Sequence, residues 1–195
     1  MPTIEDDVKQ QLDPAMVGQM ARQLGVPNDQ VQKAVDVGIP LLLSALTRNA
    51  SSPEGAQSLS NALARDHDGS VLQHKEEVVQ HYQQSDGGAI LSHVLGDQEA
   101  PVETAIAQQT GVDAGALLKM LAPIAMGVLG QTQRQQQLGP QDLAGALQTN
   151  QQQMQQQEGS LLSTVNALLD SNKDGSGLDE VASMLGNFLN SQQRR

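Results

Sequence analysis

Apolar positions along the chain fall at helical spacing. Val31, Val35, Ile39, Leu42, Leu43 and Leu46 follow Gly25-Val26-Pro27. Leu117, Leu118, Met120, Leu121, Ile124, Val128 and Leu129 follow Gly111-Val112-Asp113. Steps of three and four place such residues on one face of a helix. In both segments they lie almost all round, which predicts two buried helices forming a core pair. Each carries an internal proline, Pro40 or Pro123, expected to kink or break its helix because it removes a backbone donor. Nearby Gly38, Gly127 and Gly130 are expected to let another helix approach closely.

The same order of features occurs twice. A short amphipathic segment (Ala15–Leu24 or Pro101–Gln109) precedes each core segment, and a helix start at Pro53 or Pro140 follows it. Proline in the first helical turn with an acid close behind marks such a start. Charge divides alike: residues 1–86 hold 12 acids and 6 bases, and residues 87–195 hold 10 and 5. The expectation is an all-α fold of two related helical units, 1–86 and 87–195, an internal duplication packed as one compact helical body. A glutamine-rich stretch, 131–157, reads as an insertion in the second unit, exposed as helix or loop.

Composition sharpens this picture. Only 1% of the 195 residues are aromatic, which argues against strands. The net charge of −11 leaves too few cations to neutralise phosphates, so no nucleic-acid partner is expected. With no cysteine, thiol catalysis, disulfides and thiolate metal sites are excluded. The apolar runs Val37–Leu46 and Leu117–Leu129 are shorter than the roughly 18–20 residues of a membrane span. No membrane insertion is expected, and the cytoplasm is the default location.

The sharpest chemical pattern is Asp170-Ser171-Asn172-Lys173-Asp174-Gly175-Ser176-Gly177-Leu178-Asp179-Glu180. Alternate oxygen ligands followed by glycine match the first half of an EF-hand loop, making calcium the possible cofactor. Its ligands would be Asp170, Asn172, Asp174, Ser176 and Asp179 or Glu180. The second half departs from the pattern, because Val181 stands where the bidentate acid belongs. A plain Asp-Gly turn is the competing reading, and Asp66–Leu72 and Asp86–Leu91 repeat its shape.

Other chemistry is weaker. His67, His74 and His81 recur every seven residues, which separates His74 from His81 by about 10.5 Å along a helix. Zn–N bonds of about 2 Å cannot span that, so these read as surface histidines. His93 is expected to be half-buried or a turn donor. The acid pairs Asp6-Asp7 and Glu76-Glu77 read as solvated faces. No nucleophile elbow, phosphate loop or dinucleotide fingerprint occurs, and the expectation is a non-enzymatic protein.

The segments 86–96 (Asp86-Gly87-Gly88-Ala89-Ile90-Leu91-Ser92-His93-Val94-Leu95-Gly96), 117–130 and 170–178, with Arg48–Gly55 in the first unit, resemble the bacterial family Domain of Unknown Function 937, which is similar to the YidB-like proteins. The resemblance implies a bacterial, helical, cytoplasmic protein and brings no catalytic residues. It breaks down at the glutamine-rich stretch. Three readings follow. The first is an interaction or self-assembly module whose partner is another protein or itself, giving a homo-oligomer. The second is a calcium-responsive module, and the third is a small-molecule binder or enzyme with its site between the core helices near Pro40 and Pro123.

Overall fold

The computed structural model describes residues 3–157. Within them the chain forms α1 (Ile4–Gln11), α2 (Pro14–Leu24), α3 (Asn28–Asn49), α4 (Pro53–Arg65), α5 (Lys75–Gln80), α6 (Gly87–Leu95), α7 (Glu99–Thr110), α8 (Ala114–Gln136) and α9 (Pro140–Gln157). Short 3-10 turns occupy Ser70–Gln73 and Gly96–Gln98. The described residues contain no strand.

Helix ends follow local chemistry. Thr3 and Asp6 close a capping box on α1. Asp13, Ser52 and Asp113 accept the amides of Met16, Gly55 and Ala116 at 2.8, 3.0 and 3.0 Å, satisfying donors that a helix start leaves free. Helices α2 and α7 end on Gly25 and Gly111 in the left-handed region, φ 68° and 71°, where glycine escapes the Cβ penalty.

The long helices α3 and α8 pack together at the centre, and α4 and α9 pack on each other, α4 mainly over α8 and α9 over α3. Leu117, Leu118, Met120, Leu121, Ile39 and Leu41 are fully buried, each contributing about 1.5–3 kcal/mol of burial. Neither proline breaks its helix: α3 runs 22 residues through Pro40 and α8 runs 23 through Pro123. One missing donor is tolerable where a buried apolar face is held on several sides. The carbonyl of Lys119, four residues before Pro123, instead faces Gly87, where a Cβ would overlap it.

Gly127 and Gly130 do admit a close neighbour, but it is the turn after α4 rather than a long helix. A Cβ at Gly130 would overlap the His67 carbonyl, and one at Gly127 would run into Val71. Gly38 sits against Leu118 and Leu121, whose methyl groups would lie 3.4 and 3.3 Å from a Cβ at that position. Helix α8 is long and apolar enough to cross a membrane, although the run Leu117–Leu129 alone is not; 89% of its apolar window is buried inside the fold.

The glutamine-rich stretch is helical and largely exposed, as expected, but it also buries one stripe. Its first part completes α8, and the rest forms α9, which buries Leu143, Leu147, Asn150 and Met154. These positions follow helical spacing, so α9 docks as an amphipathic helix. Gln133 is also buried and donates from Nε2 to Ser60 Oγ at 2.6 Å, tying α8 to α4. The Glu5 amide donates to Asn150 Oδ1 at 3.2 Å, tying α1 to α9.

Candidate functional site

The proposed calcium ligands Asp170, Asn172, Asp174, Ser176, Asp179 and Glu180 lie outside the described residues. Their shorter analogues stand at a turn and at a helix start, where Asp86 makes no side-chain cap bond. Asp68 Oδ1 accepts the Ser70 amide at 3.0 Å beside Gly69 in the left-handed region, and Asp86 precedes the first turn of α6.

The histidines stay apart. Helix α5 is only six residues long, so His74 and His81 flank it rather than share a face. His67 is tucked in at 11% side-chain exposure, its Nδ1 3.6 Å from Asp86 Oδ2. His93 is exposed, not half-buried, because α6 turns Ile90, Leu91, Val94 and Leu95 inward. Among the described residues no three His, Asp or Glu side chains gather as a metal site. Near the core helices, the α3–α8 contact at Gly38 is occupied by leucine side chains.

Among the described residues, polar clefts open on the surface, and two of them carry charged side chains. One, of about 420 Å³, is lined by Asp68, Ser70, Gln73, Gln131, Arg134 and Gln135. Its charges are already spent on each other: Arg134 Nη1 donates to Asp68 Oδ2 at 2.8 Å and to the Asp68 carbonyl at 2.9 Å. Hydrogen bonds from Ser70, with Arg134 adding to them, hold the Asp68 carboxyl below the usual range.

The other cleft, of about 510 Å³, gathers residues from four places in the chain: Tyr82 and Ser85 before α6, Gly88 in α6, Glu103 in α7, and Asp113, Gly115 and Lys119 at the start of α8. Burial pushes the Glu103 carboxyl up, Glu99 and Asp113 push it further, and Lys119 partly offsets them. Sequence reasoning missed this cleft, because Glu103 and Lys119 look like ordinary surface charges on separate helices.

A third feature is a surface. Helix α4 carries no charge between Glu54 and Arg65, and α9 carries none after Asp142. Gln57, Ser58, Asn61 and Ala64 are exposed on α4, and Gly145, Gln148, Thr149, Gln152 and Gln153 on α9. The two helices are neighbours, so an uncharged, amide-rich face spans both. Among the described residues, nothing lies within 4 Å of where a Cβ at Gly145 would stand.

A family model described as "Bacterial protein of unknown function (DUF937)" matches residues 6–132, and the chain belongs to that family. The match runs from α1 through most of α8 and stops before α9, so the loop at 170–180 lies beyond it. The finer likeness to the YidB-like proteins stays a resemblance. No curated protein and no solved structure matches the chain.

Proposed function

We propose that this DUF937-family chain is a non-enzymatic helical assembly module that pairs with a second copy of itself through the exposed faces of α4 and α9. The carrying observation is the charge-free face on a chain of net charge −11. Two acidic copies repel wherever their acids meet, and this face is where they can approach without that cost. Its side chains are self-complementary, since each Gln or Asn amide both donates and accepts. Gly145, Ala64 and Ser58 let helices come close.

The same reading takes the chain as a duplicated three-helix unit. Helices α2–α3–α4 and α7–α8–α9 share a glycine stop, a long helix with an internal proline, and a proline start. Their packing supports it: α3 packs on α9 as α8 packs on α4, while α3 meets α8 and α4 meets α9. An approximate two-fold axis relating the units would produce these exchanges, and the α4–α9 face would then straddle that axis.

Light scattering on the full chain across a concentration series tests the proposal. The expected mass approaches twice 20.7 kDa and falls to the monomer in an Asn61→Glu, Gln148→Glu double variant whose melting at low concentration is unchanged. A parent that stays monomeric to roughly millimolar concentration, the weak limit of useful association, refutes it, as does a double variant that still dimerises.

A further inference from the structure

The cleft between α6, α7 and the start of α8 holds one carboxylate and one ammonium that the fold leaves unused. Neither Glu103 nor Lys119 makes a hydrogen bond or an ion pair of 4 Å or less with any described residue. This contrasts with the Asp68–Arg134 cleft, where acid and base are joined at 2.8 Å. The Glu103 carboxyl lies against Gly115, whose missing side chain makes its room: a Cβ there would stand 2.7 Å from Oε1. Lys119, one turn further along the same helix, runs its stem past Gly88, with Cε 3.7 Å from where a Cβ would be. A partly buried carboxyl with no donor is unfavourable for folding, and the charge of Lys119 offsets that cost only in part. The open cleft's volume of about 510 Å³ is within the range of small-molecule sites.

We propose that this cleft binds a small zwitterion, a free amino acid or short peptide, with its ammonium on Glu103 and its carboxylate on Lys119. Opposite unpaired charges across one cleft select a ligand carrying both. A simple anion would face Glu103 and Asp113, and a simple cation would face Lys119. Tyr82 also lines the cleft, and its hydroxyl, which accepts from Gln83 Nε2, keeps its own proton to donate to a carboxylate. The Ser85 hydroxyl is held by the Tyr82 carbonyl and the Gly87 amide. This inference is independent of the self-association face.

Titration of the isotope-labelled full chain by amide NMR tests it, with glycylglycine as the probe. Acetylglycine, which lacks the ammonium, and glycinamide, which lacks the carboxylate, serve as half-ligands. The expected result is saturable shifts at Gly88, Gly115 and Lys119 with glycylglycine, and binding weakened about tenfold or more for each half-ligand, as for loss of a charge-assisted bond. Glu103→Gln should weaken glycylglycine and glycinamide while sparing acetylglycine, and Lys119→Met should do the reverse for the half-ligands. Absence of saturable shifts with glycylglycine overturns the proposal. So does a half-ligand that binds as well as the dipeptide, a comparison that needs no variant.

Discussion

Replacing Gly130 by alanine sets local and tertiary physics against each other. In a helix interior alanine is favoured over glycine by about 0.8–1 kcal/mol, so α8 alone would gain. The new Cβ, however, would occupy the space of the His67 carbonyl oxygen. That carbonyl cannot retreat freely. The His67 amide is bonded to the Ala62 carbonyl at 3.2 Å, Arg134 holds the Asp68 carbonyl at 2.9 Å, and Gly69 is locked at φ 95°. Overpacking of this kind costs about 1–3 kcal/mol, and because the clash is with backbone the upper part of that range applies. Net destabilisation of about 1–2 kcal/mol is expected. Gly18→Ala in α2 is the control, since among the described residues its Cβ would meet only Arg22 and Asn28 side-chain ends at 3.7 and 3.9 Å. It should keep most of the helix gain and stabilise by up to about 1 kcal/mol. Urea unfolding followed by far-UV circular dichroism reads both, because the chain lacks tryptophan. If Gly130→Ala proved as stable as Gly18→Ala, the close approach of α8 to the turn after α4 would be refuted.

Two further outcomes follow from single groups. Asp13→Ala removes the acceptor of the Met16 amide and should cost about 1 kcal/mol by denaturant unfolding, with Asp13→Asn keeping most of the cap. Glu103 is held above its ordinary range by burial and by Glu99, so its neutral form is the better fit to the fold. Its stabilising contribution is therefore present at acid pH and lost as pH rises through its folded value. Glu103→Gln should melt higher than the parent at neutral pH, and the gap should close on acidification; a constant gap across that range would reject the assignment.

Helix starts were legible because they are set within a few residues. The starts at Pro53 and Pro140 follow from proline with an acid close behind, and Asp13, Ser52 and the left-handed Gly25 and Gly111, which the structure added, act through the same short-range backbone chemistry. The all-helical class and the core pair α3–α8 follow from spacing and from the scarcity of aromatic residues for the same local reason. What required the tertiary structure was decided by neighbours distant in sequence. Whether a proline ends a helix depends on what grips that helix from outside, and α3 and α8 are gripped along their length. In 131–157 the run of glutamines masks Leu143, Leu147 and Met154, and only the site opposite α3 and α4 makes those few apolar residues a docking face. The cleft is the extreme case. Glu103 and Lys119 sit on α7 and α8, and residues 82–88 close the far side. Packing alone brings these groups together, because burial and unpaired charge are properties of a surroundings that no single stretch of sequence encodes.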